Sequence, residues 1–416
     1  MIRNQDCKIN GTVFPRVLLF FSVCIAIGCC KLVLADTPIG WAVFPAHGVE
    51  STVGGGNGDV VTARTAKEFA NYVRSEIPLT IRVEGTLDGN GKTNVASNKT
   101  ILGVGSSATL TNTELNLSGV SNIVIRNLHI KDARDAIAMR RSHHVWVDHC
   151  DLSACDDGLL DITNQSDYVT VSWTRFSNHH KTMLINSGTS QPEDMGTLKT
   201  TIHHCWYDGS DTRNPRVGYG KVHIFNCLYN GNDYGIGLHS LCRVLAERNY
   251  FNNTKNSIRQ MYRPDPKDIH HGFCESVDNI FKNCTGSQDD EGISFPVSDH
   301  YYHYDFAMHD VKAVPAMVKE KVGPAAAFGT LGPLPIPGNG AINVTSKPVL
   351  RWTKSHDAKK YIVFFGENHS PARRTETSEQ TFTPDKLKPK TVYYWRVDRI
   401  TDKGVIPGDL WRFQTE

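Results

Sequence analysis

Three aspartates near the middle of the chain have the residue type and the spacing of a site for a hard metal ion. Asp157 and Asp161 lie four residues apart in the segment DGLLD, and Asp135 precedes Asp157 by 22 residues. Residues four apart share one face of an extended strand, so both later carboxylates can point to the same side. Three oxygen donors without His or Cys suit Ca²⁺ better than zinc or copper. The alternative is three solvated aspartates on turns.

Three cations follow these carboxylates in the chain. Lys181 lies 20 residues beyond Asp161, and Arg213 and Arg216 belong to the turn RNPR, which Pro215 stiffens. We expect them to project on the same side as the carboxylates. A Ca²⁺ site beside a lysine and two arginines would bind the carboxylates of an acidic sugar polymer. A surface network of ion pairs is the alternative interpretation.

Histidines are numerous in the same region and could in principle act as acids or bases. They are His143, His144, His149, His179, His180, His203, His204 and His223. His149, His203 and His204 fall at repeated strand positions, so we expect several of them to pack rather than to react. The sequence contains no G-x-S-x-G, H-E-x-x-H or P-loop motif.

The elements that must position these residues repeat along the chain. Equivalent positions recur in six β-rich segments after steps of 22, 24, 31, 22 and 22 residues. These positions are Ile125, Val147, Val171, Ile202, Ile224 and Ala246. Such a period is typical of a solenoid, and about 22 residues hold two or three short strands but no helix. The leucine-rich repeat pattern is absent, so a parallel β-helix is predicted.

The repeat also predicts that the side chains three residues after each of these positions stack on one another inside the coil. The members of this stack are Leu128, Cys150, Thr174, Cys205, Cys227 and Asn249. Neighbouring strands are about 4.8 Å apart, which lies within the reach of a disulfide between Cys205 and Cys227. Two buried thiols in small slots are an equally good interpretation.

The N-terminal part predicts a leader and a cap. Basic residues precede a short apolar run, and Val33-Leu34-Ala35 resembles a cleavage site, so residues 1–35 read as a secretory signal peptide. We therefore expect a secreted chain with no membrane contact after cleavage. Further on, Thr65-Ala-Lys-Glu68 is a capping box that predicts a short helix to about Arg74, covering the open end of the solenoid.

The balance of charges argues against nucleic acid as a partner. The full chain has a formal net charge of +2. Without residues 1–35 it carries 41 Lys and Arg against 42 Asp and Glu. A general nucleic-acid binder usually shows a strongly basic domain or stripe. We expect a monomer that binds an anionic polymer through local cations.

A change of composition divides the chain near residues 331–340, where three prolines and three glycines predict a linker. The solenoid is accordingly assigned to residues 36–330 and a small all-β domain to 341–416. That second domain shows alternating strands at β-sandwich spacing. The run from Leu387 to Val397 resembles the E–F corner of fibronectin type III domains, and Trp352 resembles their strand-B tryptophan. We interpret it as a spacer, with a carbohydrate-facing appendage as the alternative.

Several motifs, in the same order, resemble the pectate lyases of polysaccharide lyase family 1. They are VWVDHCDLSACDDGLLDIT (145–163), VTVSWTRFSNHHKTMLI (169–185) and TIHHCWYDGSDTRNPRVGYGKVHIFN (201–226). Residues 40–61 and 97–105 match the N-terminal signatures of the family, so the resemblance covers roughly 37–300. It implies an all-β chain in which a right-handed parallel β-helix precedes the small β-sandwich.

The resemblance also implies roles for the residues. Asp135, Asp157 and Asp161 match calcium ligands, Lys181 matches a lysine that binds a substrate carboxylate, and Arg213 matches the catalytic base. Two positions depart from the family pattern. A further acidic ligand found in some members is Ala133 here, and a second substrate-binding arginine is Gly218. We expect Arg216 or Lys221 to compensate for the latter, with an unusual dependence of substrate binding on Arg216.

The implied reaction is β-elimination on de-esterified polygalacturonate (pectate) with Ca²⁺ as cofactor. A guanidinium is normally always protonated, so an arginine base implies an alkaline optimum. A catalytically silent polysaccharide-binding protein on the same solenoid is the main alternative. A hydrolase is a third, but hydrolysis would use a pair of carboxylates as acid and base rather than as metal ligands.

Overall fold

The computed structural model describes residues 37–262, 270–288, 302, 304–325 and 332–416. The predicted leader, residues 1–35, lies outside the described residues, as does part of the segment before the C-terminal domain. Two α-helices are present among the described residues, α1 (Ala66–Arg74) and α2 (Val314–Lys321). Short 3-10 helices span Gly40–Val43, Pro192–Asp194, Asp305–Ala307 and Val311–Ala313. No helix in these ranges is both long and apolar enough to span a membrane.

Twenty-five short strands lie among the described residues before residue 283. The first thirteen are β1 (Asp59–Ala63), β2 (Leu79–Val83), β3 (Thr86–Asn94), β4 (Lys99–Gly103), β5 (Thr109–Ser118), β6 (Ser121–Arg126), β7 (His129–Lys131), β8 (Ile137–Arg140), β9 (His143–Asp148), β10 (Asp151–Ser153), β11 (Leu160–Thr163), β12 (Asp167–Ser172) and β13 (Arg175–Ser177). The next twelve are β14 (Met183–Ile185), β15 (Thr200–His203), β16 (Trp206–Asp208), β17 (Arg216–Gly218), β18 (Lys221–Phe225), β19 (Leu228–Asn230), β20 (Tyr234–His239), β21 (Arg243–Glu247), β22 (Tyr250–Asn252), β23 (Asn256–Gln260), β24 (Phe273–Val277) and β25 (Ile280–Lys282).

These strands form a parallel β-helix, as the repeat predicted. One ten-stranded sheet has the order β1-β2-β4-β6-β9-β12-β15-β18-β21-β24. A second sheet consists of two ladders that meet at β5, one running from β7 to β25 and the other from β8 to β23. Each central turn contributes one strand to the ten-stranded sheet and one to each ladder. The second ladder, from β8 to β23, is called the site ladder below.

The strand register follows the predicted repeat residue by residue. Ile125 pairs with Val147, Val147 with Val171, and so on through Ile202 and Ile224 to Ala246. All six side chains are fully buried. The one long step, of 31 residues, carries an insertion that includes the 3-10 helix Pro192–Asp194. Alternating apolar residues at a fixed period therefore determined both the pairing and the inward face.

The inner stack lies in the core, and its cysteines are free thiols. Cys150, Cys205 and Cys227 are fully buried, and no disulfide links the described cysteines. Burial raises the pKa of the Cys205 thiol, and the neighbouring Cys227 adds to this effect. The interpretation as two packed thiols is thus the one that the structure supports.

The capping-box helix is α1. The Thr65 side chain accepts a hydrogen bond from Glu68 N, and Thr65 N donates one to Glu68 Oε2. Phe69 and Val73 are buried in the core at the first turns of the solenoid, so the predicted helix and its apolar side are confirmed. The exposed C-terminal end of α1 carries Arg74.

The C-terminal residues form two further sheets. Their strands are β26 (Pro335–Ile336), β27 (Ala341–Val344), β28 (Leu350–Trp352), β29 (Lys360–Gly366), β30 (Ala372–Thr377), β31 (Thr381–Phe382), β32 (Val392–Thr401), β33 (Gly404–Ile406) and β34 (Leu410–Thr415). One sheet has the order β26-β28-β31, and the other has β27-β34-β32-β29-β30 with β33 beside β32. They share a core that contains Trp352, Trp395 and Trp411.

The segment predicted as a linker is partly an ordered strand. Within it, β26 pairs antiparallel with β28 of the C-terminal sheets. The preceding residue, Leu334, is 1% exposed and packs with Val124 and Trp146 on the outer face of the ten-stranded sheet. Lys354 N also donates a 2.7 Å hydrogen bond to Asn57 Oδ1. The C-terminal sheets are therefore attached to the solenoid by buried as well as exposed contacts.

Candidate active site

The three predicted aspartates lie on neighbouring turns at the start of the site ladder. Asp135 precedes β8, Asp157 lies in the turn before β11, and Asp161 lies within β11. Asp157 N donates a 2.8 Å hydrogen bond to Arg134 O, which places these two turns in register. Asp157 belongs to a turn rather than to the straight strand that the spacing argument assumed. The predicted one-turn offset between Asp135 and Asp157 is nevertheless present.

Backbone amides hold two of these carboxylates. Asp135 is 5% exposed, and its Oδ1 accepts a 2.6 Å hydrogen bond from Gly158 N. Asp161 Oδ1 accepts a 3.1 Å hydrogen bond from Leu184 N on the next strand. A Cβ on Gly158 would lie 2.7 Å from Asp161 Oδ1, so glycine is required for this close approach.

The carboxylates differ in their electrostatic surroundings. Burial and the charge of Asp135 raise the pKa of Asp161 to about 7. Burial also acts to raise the pKa of Asp157, but the hydrogen bond and charge of Lys181 and the charge of Arg213 outweigh it, so this pKa is lowered. The carboxyl of Asp161 is therefore harder to ionise than that of Asp157, first because it is buried and second because Asp135 lies nearby.

The three carboxylates do not form a closed cluster. Among the residues that the structure describes, no group of three or more His, Cys, Asp or Glu side chains could hold a metal ion as it stands. Two carboxylates are directed to backbone amides, and the third is directed to a lysine. The Asp157 carboxylate is therefore shared with Lys181, through its Oδ1 atom.

The predicted cations lie next to these carboxylates. Lys181 is bridged to Thr212 of the following turn, and its Nζ lies 3.2 Å from Asp157 Oδ1. Met183 N donates a 2.7 Å hydrogen bond to Arg213 O, which ties the arginine turn to the lysine turn. Arg213 adopts a left-handed backbone conformation, with φ of 61°, that non-glycine residues seldom adopt. The structure therefore brings Asp157, Lys181 and Arg213 together.

Arg216 lies on the same outward row as Asp161. It begins β17 and pairs with Leu184, which in turn pairs with Asp161. Its Nη2 donates a 3.1 Å hydrogen bond to the hydroxyl of Tyr262, which is 41% exposed. Sequence reasoning missed Tyr262, because nothing in a segment 46 residues away indicates that it meets Arg216.

The position that departs from the family pattern is closely packed. The φ angle of Gly218 lies outside the left-handed region, so its backbone would accept a side chain. A Cβ would however lie 2.4 Å from His239 Cε1 and 2.7 Å from Asn186 Oδ1. The obstacle to an arginine at this position is therefore the neighbouring side chains and not the backbone conformation.

The histidines mostly pack, as predicted. Burial lowers the pKa of His203 to about 3, and His204 stacks on Trp173 with ring centroids 4.3 Å apart. His149 is fully buried beside Asp148. His179, one of the histidines noted in the sequence, contacts the carbonyl oxygen of Asp157 through its Nε2 atom and supports that turn.

Comparison with known proteins gives the family. A family model described as pectate lyase matches residues 20–268. The chain belongs to the pectate lyase family. It is 35% identical over 235 residues to a pectate trisaccharide-lyase of Thermotoga maritima, an alignment that covers 52% of this chain and 64% of that relative. It is 36% identical over 240 residues to pectate lyase plyB of Emericella nidulans, which covers 55% and 73% respectively. The chain thus spans less than two thirds of the Thermotoga relative.

Solved pectate lyase structures share the fold. A pectate lyase from Bacillus sp. N165, in complex with trigalacturonate, has a TM-score of 0.60 at 28% identity and covers 69% of this chain and 98% of its own. The cedar pollen allergen jun a 1 has a TM-score of 0.57 at 25% identity and covers 70% and 93%. The predicted resemblance to pectate lyases is confirmed, while the type III resemblance of residues 341–416 stays a prediction.

Proposed function

We propose that this chain is a secreted, calcium-dependent pectate lyase that cleaves de-esterified polygalacturonate by β-elimination. The observation that carries the proposal is the contact of Asp157 with Lys181, beside the turn of Arg213 and on the turn next to Asp135. The aspartates can bind a cation, and Lys181 and Arg213 can bind a substrate carboxylate. Both kinds of side chain lie together on the outer face of the solenoid. The Bacillus relative in complex with trigalacturonate supports an oligogalacturonate as ligand.

The donor chemistry fits calcium. Asp135, Asp157 and Asp161 offer hard oxygen donors alone, which Ca²⁺ prefers over softer ligands. The raised pKa of Asp161 reflects burial next to another carboxylate, and a dication would relieve that repulsion. When bound, calcium would neutralise the substrate carboxylate and so increase the acidity of the neighbouring C5–H bond.

The residues of this chain would carry the elimination itself. Lys181 would bind the substrate carboxylate as a point charge and stabilise the enolate-like transition state. The neutral guanidine of Arg213 would remove the proton from C5, the C4–C5 double bond would form, and the C4–O bond would break with its electron pair leaving on oxygen. The leaving oxygen would take a proton from solvent.

The C-terminal sheets support a type III-like domain as a separate proposal. The hydroxyl of Tyr393 accepts a 3.0 Å hydrogen bond from Lys388 N, five residues earlier, at the start of β32. A tyrosine that bonds to the backbone a few residues upstream is a hallmark of such sandwiches. Tyr393, Trp395 and Val397 alternate inward along β32, as in the predicted strand.

The first experiment follows the ultraviolet absorbance of the unsaturated product from polygalacturonate with Ca²⁺. We expect turnover that EGTA abolishes and added Ca²⁺ restores. Full activity in chelator would contradict the metal assignment. Reducing ends without absorbance would indicate a hydrolase, and binding without either signal would support the silent polysaccharide-binding alternative.

The second experiment replaces the base. Arg213→Lys should lower kcat by at least a hundredfold, because an ammonium group cannot reproduce the planar guanidine at C5. Lysine can adopt the same left-handed backbone at similar cost, so the fold should persist. Arg248→Lys, at an exposed ion pair with Asp278, is the matched control. If Arg213→Lys kept most of the rate while a change at His203 or His204 removed it, a histidine base would be the better assignment.

A further inference from the structure

Charge is distributed unevenly between the solenoid and the C-terminal sheets. Residues 36–340, which contain the solenoid, carry 27 Lys and Arg against 33 Asp and Glu. Residues 341–416 carry 14 Lys and Arg against 9 Asp and Glu. The part of the chain with the candidate active site is therefore net negative, and the C-terminal part is net positive. Such an asymmetry favours an anionic partner for the C-terminal part.

Positive charge is concentrated on the larger of the two C-terminal sheets. Its strands β27, β29, β30, β32, β33 and β34 contain six Lys and Arg but only two Asp and Glu. Arg399 lies on the core side, opposite Tyr361 and 3.6 Å from Asp357. The other five cations lie on the outer face or on its exposed edge strand, and they are Lys360, Arg373, Arg374, Arg396 and Arg412.

An aromatic ring lies between two of these arginines. Phe364 pairs with Arg373 on one side and with Arg396 on the other, and both sequence neighbours of Phe364 are buried in the core, so these three residues share one outward row. The strands of the two arginines are about 10 Å apart. Arg396 Cζ lies 4.2 Å from the centre of the Phe364 ring. Tyr394 lies on the next outward row, where its ring is 4.3 Å from that of His369. Aromatic rings and guanidinium groups therefore alternate on this face.

The guanidinium groups keep donors for a ligand. Asp398, which is 5% exposed, accepts hydrogen bonds from Nε and Nη2 of Arg396 at 2.7 and 3.1 Å and so fixes this group over the ring. Arg373 donates to Glu376 through Nη2, and Arg374 donates to a backbone carbonyl through Nε. Nη1 of all three arginines donates to no other residue that the structure describes. Each group can therefore still pair with an external carboxylate.

Acidic residues at the borders do not cancel the charge of this face. Asp409 precedes β34 and Glu379 follows β30. Glu367 follows β29, but it is paired with Lys388 at 2.9 Å. When these residues are counted together with the two acids on the strands, the cations still exceed the acids. The face therefore remains complementary to a polyanion.

We propose that this outer face of the larger C-terminal sheet binds a polygalacturonate chain. Arginines about 10 Å apart would pair with carboxylates of different sugar units, and the apolar C–H face of a sugar ring would pack on Phe364 or Tyr394. The identity of the polymer rests on the proposed function. The face would hold substrate close to a solenoid whose own net charge repels it. It is thus the carbohydrate-facing appendage, and not the spacer, that this sheet supports.

The test measures binding to immobilised polygalacturonate in EGTA, which removes the contribution of the proposed calcium site. The affinity of Arg373→Glu/Arg374→Glu should be at least fivefold below that of the native chain, and Arg373→Gln/Arg374→Gln should lose a smaller factor. Lys386→Glu/Lys390→Glu makes the same change of charge at two exposed lysines before β32 and should keep the native affinity. Native affinity in both arginine variants would overturn the proposal, and so would an equal loss in the lysine control.

Two further measurements test the ligand and separate this inference from the proposed function. Fully methyl-esterified polygalacturonate, which has the same rings without the charges, should bind at least fivefold more weakly to the native chain. Double-stranded DNA that bound as tightly as polygalacturonate would overturn the assignment of a uronate polymer. A native chain that binds polygalacturonate in EGTA but forms no unsaturated product with Ca²⁺ would contradict the lyase assignment and leave the binding face supported.

Discussion

Lys181 and Asp157 are paired with each other, with Nζ 3.2 Å from Oδ1. Lys181 was predicted to bind a substrate carboxylate and Asp157 to bind a metal ion. In this structure the two side chains instead pair with each other. Both side chains are more than a third exposed, so the pair itself adds little stability. Its importance lies in competition, because a cation bound at Asp157, as proposed for Ca²⁺, would compete with the Lys181 ammonium group for that carboxylate.

Lys181→Met should therefore separate metal binding from catalysis. The apparent affinity for Ca²⁺ should rise severalfold, because a competing cation is removed from Asp157. The kcat/KM on polygalacturonate should fall about ten- to a hundredfold, the equivalent of one lost charge-assisted hydrogen bond. Calcium titration and the absorbance assay measure the two effects. Lys255→Met breaks a similar exposed pair with Asp233 and should change neither. A drop in calcium affinity in Lys181→Met would contradict the competition.

Gly218→Arg should fail to improve substrate binding, because His239 and Asn186 fill the space of a side chain. Even Gly218→Ala should lower the free energy of unfolding by about 1–3 kcal/mol through overpacking. Adding His239→Ala should recover part of this loss. Urea denaturation measures all three, and Gly366→Ala, where the nearest atom to a new Cβ is 3.6 Å away, is the control. A neutral Gly218→Ala would show that His239 moves aside freely.

Leu334→Ala should destabilise the whole chain without affecting the site. Leu334 is buried against Val124 and Trp146, and a buried leucine-to-alanine change costs about 2–5 kcal/mol. Truncation after Gly332 should likewise leave an active lyase, but with a lower Tm, because it uncovers the same apolar patch. Thermal unfolding and the absorbance assay measure the two properties. Val349→Ala, at a side chain that is 48% exposed, should have little effect. An unchanged Tm in Leu334→Ala and in the truncated chain would show that the contact contributes nothing.

His144 should make the protein sensitive to acid. Burial lowers the pKa of His144 to about 4, although a hydrogen bond to Phe44 O at 2.8 Å acts in the opposite direction. The nearby His143 and His47 also disfavour its protonation. Because the folded pKa lies below the ordinary value of 6.5, the stability is present above pH 6.5 and is lost as the pH falls toward 4. The size is about 3 kcal/mol.

His144→Gln tests this dependence, because glutamine can still donate to Phe44 O but does not titrate. The variant should lose less free energy of unfolding between pH 7 and pH 4.5 than the native chain does. His356→Gln, at an exposed histidine of the C-terminal domain, is the control. Identical pH profiles for the native chain and His144→Gln would assign the acid sensitivity to other groups, such as His203 or His239, whose pKa values are also lowered by burial.

Much of the fold could be predicted because a solenoid pairs each position with the same position one turn later. The anchors from Ile125 to Ala246 are in register for that reason, and the site ladder carries Asp157 next to the turn of Asp135. The capping box likewise determined α1 through local hydrogen bonds. Where a residue lies around the coil follows from a period that the sequence displays.

Contacts between segments without a common period could not be predicted. Tyr262 meets Arg216 and Leu334 covers Trp146, although no spacing relates the members of these pairs. The sequence by itself determined the parallel β-helix, the side of it on which the carboxylates and cations lie, and the family. Only the tertiary structure decided which of these charges touch, because side-chain contacts depend on packing between distant segments, whereas strand pairing depends on periodicity alone.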